Sequence, residues 1–167
     1  MVIIFILVFL SSWYFYIFLQ YRYSWASIHP SQNTNNTDFI SVIVACRNEE
    51  RNILNIIEDV RNQIFDKDRF EMIIVNDHSE DSTLQILEKA AENWQNLKII
   101  CLNESEQGKK KAIKKGISVS KGDIILCTDA DCSVSKNWIK TISDYFADKN
   151  VKLLSAPVEF NKKQGIF

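Results

Sequence analysis

The stretch 121-KGDIILCTDADC-132 decides how the rest of the chain is read. Ile124, Ile125, Leu126 and Cys127 form a short apolar run, followed at once by Thr128, Asp129, Ala130 and Asp131. A run of this kind suits a strand buried on both faces of a parallel sheet. In an open α/β sheet, ligands collect at the carboxyl ends of the strands. Asp129 and Asp131 therefore stand where a ligand binds, with Ala130 pointing the other way. Two carboxylates so spaced attract a hard divalent cation, which in turn grips phosphate oxygens. The same letters also suit a turn followed by a helix cap, both of which favour Asp. The pair alone does not choose between these readings.

Working outward, strand-like runs alternate with amphipathic helical segments from Phe39 onward. Ile40 to Cys46 reads as a first strand, Met72 to Val75 as a second, Leu97 to Leu102 as a third and Asp123 to Cys127 as a fourth. Val151 to Pro157 reads as the beginning of a fifth. Between them, Ile53, Ile56, Ile57, Val60 and Ile64 recur at helical spacing, with Glu49 and Glu50 expected in the first turn. Asp81 or Ser79 is expected to cap a helix whose inner face carries Leu84, Leu87, Ala91 and Trp94. Lys109 to about Ser118 reads as a short helix with Ile113 and Ile117 on one side. Ser135 is expected to cap a helix bearing Trp138, Ile142, Tyr145 and Phe146. Regular βα alternation predicts a mostly parallel, Rossmann-like sheet with helices on both faces.

Upstream, Val2 to Leu19 carries no charge and is almost wholly aliphatic and aromatic. Eighteen such residues reach the lower end of what spans a bilayer. Trp13, Tyr14, Tyr16, Tyr21, Tyr23 and Trp25 crowd its C-terminal end like an interfacial aromatic belt. No Lys or Arg precedes the run and no small-residue cleavage site follows it, so a retained anchor over residues 1–20 is preferred to a signal peptide. Arg22, the nearby charge, puts the C-terminal side in the cytoplasm, with a single-pass topology. Residues 21–38, rich in Asn, Ser and Thr, read as a linker, and residues 39–167 as one folded domain.

The net charge of -1 gives no reason to expect nucleic acid as a partner. Cys46, Cys101, Cys127 and Cys132 show no metal-ligand spacing and read as buried reduced thiols. The polar residues gather instead at three strand ends: Arg47, Asn48 and Glu49; Asp77, His78 and Ser79; Asp129 and Asp131. The segment 108-GKKKAIKKG-116 adds lysines spaced four apart, which repel at about 0.2–0.5 kcal/mol per pair, and cations at a helix N-terminus, where the dipole disfavours them. A nearby anionic ligand would offset both costs, and a solvated basic face is the plain alternative. Lys109, directly after Gly108, is the best candidate for a ligand contact. His78 is assigned a structural or hydrogen-bonding role ahead of a catalytic one.

SVIVACRNEE (41–50), IIVNDHSEDST (73–83), GKKKAIKKG and GDIILCTDADC, in this order and spacing, resemble the family 2 glycosyltransferases. The resemblance covers residues 39–167. It implies a glycosyltransferase A-type fold binding a nucleoside-diphosphate sugar, most simply a UDP-sugar, and inverting transfer to a saccharide or lipid acceptor at a membrane. It implies that Asp77 recognises the base and that Asn48 and Glu49 line the nucleotide pocket. Asp129 would contact ribose or metal, and Asp131 would hold Mg2+ or Mn2+ on the diphosphate. This sequence departs from the family pattern in having Ala45 where Pro is common, and Asn76 and His78 in place of the Asp and Gly of D-D-G-S. The family's catalytic base lies in a later T-E-D-like segment, so the general base is expected beyond Phe167 and the chain reads as a truncated donor-binding half. Two other readings stay open. Phosphatases of the haloacid dehalogenase type also place D-x-D after an apolar strand, with the first Asp as nucleophile, although normally on their first strand. A nucleotide-binding module without turnover would need the same residues.

Overall fold

The computed structural model describes residues 1–26, 36–156 and 158, the side chains of residues 25 and 26 excepted. The chain divides into two units, Met1–Ser31 and Gln32–Phe167. The first contains one helix, α1 (Val2–Ala26), which runs past the expected end of the anchor at residue 20. At 25 residues it is about 37 Å long, against about 30 Å of hydrocarbon in a bilayer. It is long and apolar enough to cross a membrane, by length and composition. Two of its polar side chains bond within the helix: Ser11 Oγ donates to Val8 O, and Gln20 Nε2 to Tyr16 Oη.

Among the described residues the second unit is built on four parallel strands, β1 (Ile40–Cys46), β2 (Phe70–Asn76), β3 (Leu97–Cys101) and β4 (Ile124–Asp129), in the order β3-β2-β1-β4. Between them run α2 (Ile53–Arg61), α3 (Thr83–Glu92) and α4 (Lys109–Val119), and α5 (Trp138–Phe146) follows β4. Side chains alternate across the sheet, so the strands sort their apolar residues by parity. Ile40, Val42, Val44, Met72, Ile74, Ile124 and Leu126 join Ile53, Ile56 and Val60 of α2, Leu87 of α3, and Ile139 and Ile142 of α5 in the larger core. Ile73 and Val75 face the other way, with Leu102 and Ala112 of α4. Each buried Ile or Leu is worth about 1.5–3 kcal/mol over exposure, so two-faced burial makes β1 and β2 the spine of the domain.

Several expectations need correcting. β4 is not buried on both faces: it lies at the end of the sheet, Cys127 is exposed and Ile125 half-buried, because α4 covers β1 and β2 rather than β4. Residues 151–156 form no strand, and Pro157 lies outside the described residues. α4 does not pack through Ile113 and Ile117; it buries Ala112 and Gly116, and Ile117 is exposed. The reason is close approach: a Cβ on Gly116 would lie 2.6 Å from Ile43 Cγ2 and 3.3 Å from Val75 Cγ2. Glu49 and Glu50 precede α2, whose N-cap is Asn52, and Ile64 lies exposed beyond its end. The N-cap of α5 is Asn137, not Ser135. Among the cysteines only Cys46 is buried, its thiol pushed up to about 12, chiefly by burial. The linker expected over residues 21–38 falls partly on α1 and partly on residues outside the described ones. Its last residues belong to the domain: Asn36 is buried, with Nδ2 donating to Ser143 O and its carbonyl accepting from Arg69.

Candidate functional site

Strand register decides which loops meet. Cys46 is level with Asn76, and Ala45 with Asp129, so β1, β2 and β4 end together. The chain steps from β1 outward to β2 and β3, then returns to the other side of β1 for β4. This reversal opens a crevice between β1 and β4 at the carboxyl edge, the place where open α/β sheets bind ligands. A cleft of about 290 Å³ lies at this edge, lined by Arg47, Glu49, Asp77, Lys109, Asp129 and Asp131 among others. Of the expected site residues, Glu49, Asp77, Lys109, Asp129 and Asp131 line it; Asn48 does not.

Asp77, just past β2, is 5% exposed. Its Oδ2 accepts from the Gly108 amide at 2.9 Å, and its Oδ1 lies 3.0 Å from His78 Nδ1. Burial alone would raise the carboxyl's pKa. The bonds from His78 and the Gly108 amide outweigh it and hold the carboxyl below its ordinary value. Asp77 thus ties the end of β2 to the start of α4. Gly108 makes this contact with φ 100, a conformation open to glycine, and Lys109 follows as the first helical residue. His78 is itself left-handed, φ 57, at the position where the family motif has Gly.

Asp129 ends β4, and its Oδ1 lies 2.6 Å from Lys109 Nζ. The bond to Asp129 raises the Lys109 pKa. Ala130 is buried in the larger core and also borders the cleft, which Asp129 and Asp131 line on either side of it. Asp131 is exposed and has no hydrogen-bond or ion-pair partner among the described residues.

The β1–α2 and β2–α3 loops hold each other. Asn48, with φ 56, donates its amide to Ser79 Oγ and accepts at Oδ1 from the Glu80 amide. The Glu49 amide donates to Thr83 Oγ1, the Glu50 amide to Asp81 Oδ2, and the Ser82 amide to Glu50 Oε2. The N-cap of α3 is Ser82, not the expected Asp81 or Ser79; Asp81 Oδ1 accepts from the Thr83 amide just inside the helix, and Ser79 donates to Asn76 Oδ1. Thr83, Asp59 and Gln63 are positioning residues that periodicity did not mark. Asp59 Oδ2 accepts from the Val134 amide, and the buried Gln63 bonds Ser135 O and the Ile139 amide, fixing the segment after Asp131.

The carboxylates can be tested against a divalent cation by their number. Among the described residues no three His, Cys, Asp or Glu side chains assemble into an all-protein cage. Asp129 and Asp131 beside a lysine fit the other mode, in which Mg2+ or a similar ion takes one or two carboxylates and completes its shell with substrate phosphates and water. The residues present fit a metal bound together with a phosphorylated ligand.

Known structures of similar fold include the crystal structure of S. aureus TarS 1-349 in complex with UDP-GlcNAc, at 29% identity and TM-score 0.58, covering 72% of this chain and 37% of that one. Another is the mannosyltransferase PcManGT from Pyrobaculum calidifontis in complex with GDP-Man and Mn2+, at 24% identity and TM-score 0.69, covering 86% of this chain and 44% of that one. Among curated proteins, Glycosyltransferase AglE of Haloferax volcanii is 30% identical over 132 residues, covering 79% of this chain and 43% of the relative. The poly-beta-1,6-N-acetyl-D-glucosamine synthase of Staphylococcus aureus is 31% identical over 142 residues, covering 85% and 32%. The chain thus spans less than half the length of the relatives it matches. The comparisons give no support to the phosphatase reading. The family described as "Glycosyl transferase family 2" matches residues 41–164, most of the folded domain, and the chain belongs to that family.

Proposed function

We propose that this chain is the donor-binding part of a membrane-anchored glycosyltransferase that moves a sugar from a nucleoside diphosphate to a hydroxyl of a saccharide or lipid acceptor. The observation that carries this reading is the convergence of Asp77 from the end of β2, Lys109 from the first turn of α4, and Asp129 and Asp131 from the end of β4 on one cleft. UDP is the preferred carrier, because TarS, a neighbour of the same fold, is known in complex with UDP-GlcNAc. In this reading Asp77, ionised and nearly buried, accepts from an N–H on the base, using lone pairs that Gly108 and His78 leave free. Glu49 lines the same pocket, and Asn48 serves it as a brace. Asp129 receives a ribose hydroxyl or the cation, Asp131 holds the cation, and Lys109 faces the diphosphate. A bound Mg2+ or Mn2+ would supply charge neutralisation of the leaving diphosphate.

The anchor is α1, crossing the membrane once with the catalytic domain on the cytoplasmic side, as Arg22 at its C-terminal end favours. Its five described Trp and Tyr residues from Trp13 to Tyr23 are all exposed, as lipid-facing side chains are.

Calorimetric titration of UDP-GlcNAc into the full chain in detergent, with Mn2+ or with EDTA, tests the reading. Saturable binding with Mn2+ and none with EDTA is expected. Equal binding in both, or a phospho-aspartate formed on Asp129, would contradict it.

A further inference from the structure

We propose that Lys109 is a built-in counter-ion for Asp129: it holds this carboxylate in the donor-free site and releases it when a diphosphate offers another anion. The inference rests on the reading of the cleft as a metal–diphosphate site. It goes beyond a diphosphate contact, because it makes lysine and divalent ion competitors for one carboxylate.

The two aspartates are not equivalent. Asp131 is exposed and forms no hydrogen bond or ion pair among the described residues, so a cation there displaces no bonded partner, although Lys109 is near enough to feel its charge. Asp129 already has an ammonium 2.6 Å from its Oδ1, so a cation arriving there competes with Lys109 for that oxygen. The root of that lysine is fixed, since the Gly108 amide beside it is bonded to the buried Asp77. Its head is free to move: the Lys109 and Asp129 side chains are 61% and 50% exposed. A lysine in the first turn of a helix opposes the helix dipole, and Asp129 is what compensates it. Lys110 is also exposed in that turn and has no carboxylate partner among the described residues, so the pairing belongs to Lys109 and not to the lysine run at large.

Two consequences follow from the competition. Metal alone binds weakly, because it competes with Lys109 for Asp129 and finds only two carboxylates. Diphosphate and metal then bind with positive coupling, because the diphosphate draws Lys109 away and frees Asp129. Exposed ion pairs are worth little, so the effect of Lys109 on metal affinity should be about two- to fivefold.

The test is a Mn2+ titration of the full chain in detergent, read from the electron paramagnetic resonance of free Mn2+, without nucleotide and with UDP. Lys109→Met is expected to bind Mn2+ alone about two- to fivefold tighter than wild type. Lys110→Met should match wild type, and Lys109→Arg, which keeps the charge, should not bind Mn2+ alone more tightly than wild type. Adding UDP should tighten Mn2+ binding more in wild type than in Lys109→Met. Lys109→Gln gives the same readout if the Met variant does not fold. Unchanged Mn2+ affinity in the uncharged Lys109 variants, or an equal gain in Lys110→Met, would overturn the counter-ion role. Absence of Mn2+ binding in every variant, even with UDP, would overturn the metal–diphosphate reading and this inference with it. Binding that appears with UDP but ignores Lys109 would overturn this inference alone.

Discussion

The loops after β1 and β2 differ from the loop after β4 in how they are held. The first two are laced to each other by side chain–backbone bonds in both directions: Asn48 with Ser79 and Glu80, Glu49 with Thr83, Glu50 with Asp81 and Ser82. The third carries the acidic pair. Around that pair the described bonds are the Cys132 amide to Asp129 O, the Val134 amide to Asp59, and the ion pair to Lys109; only further on, at Ser135 and Lys136, is the loop tied to Gln63 and Ile64. Asp77 belongs to the laced half and is nearly buried; Asp131 belongs to the open half and is exposed. The difference separates two tasks. A flat base needs a rigid pocket whose acceptors are already in place, while a cation arriving with its phosphates needs carboxylates that are accessible and lightly committed.

Substitutions should therefore divide into those that cost binding and those that cost stability. The largest effect is expected from Asp131→Asn. It removes a ligand charge at constant size, and should weaken Mn2+-dependent donor binding by at least ~100-fold, beyond the ~10–100-fold cost of losing an outer-shell partner. Calorimetry would read it, with the melting temperature unchanged. Next comes Asp77→Ala, which leaves the Gly108 amide without its carboxylate. Loss of hydrogen bonds to a charged group predicts about 1.5–3 kcal/mol of destabilisation in urea titrations, together with weaker donor binding. If Asp77→Ala lost binding at full stability, the laced half would not be a frame.

Thr83→Val keeps shape and burial but removes the hydroxyl that accepts from Glu49 and donates to Asp81. It should cost about 1 kcal/mol, the net worth of a typical hydrogen bond, because the Glu49 amide it leaves unpaired is only partly buried, with little change in the metal requirement. The smallest effect is a pH dependence. Asp77 and Asp81 both have pKa values below their ordinary range; in each, burial pushes up, and hydrogen bonds, from His78 and Gly108 or from Thr83 and Glu50, prevail. Their contribution is present above an unfolded value of about 3.9 and is lost as pH falls through the lower folded values. Melting temperature should drop below about pH 4, and less steeply in Asp77→Asn.

Much of this was legible in the sequence because it is local. Ile40 to Cys46 was read with its observed boundaries, and the residues closing β1, β2 and β4 came together as the carboxyl-edge rule requires. What escaped is not local. The bond from the Glu80 amide to Asn48 Oδ1 spans 32 residues and leaves no periodic trace, so Asn48 looked like a pocket residue when its side chain is a brace. α4 misled by its isoleucines: hydrophobicity points to Ile113 and Ile117, whereas contact with Ile43 and Val75 selects Ala112 and Gly116 for smallness. β4 looked doubly buried because an apolar run does not say whether a helix covers both faces.

The most direct test is a set of thermal melts of wild type, Asp131→Asn and Thr83→Val, each with and without Mn2+ and UDP-GlcNAc together. Ligand at ~100 times its dissociation constant should stabilise wild type by about 2.7 kcal/mol. Asp131→Asn should melt with wild type when unliganded and gain nothing from the ligands, while Thr83→Val should melt lower and keep the ligand shift. A full ligand shift in Asp131→Asn, or its loss in Thr83→Val, would contradict the division of the site into a frame and an open metal side.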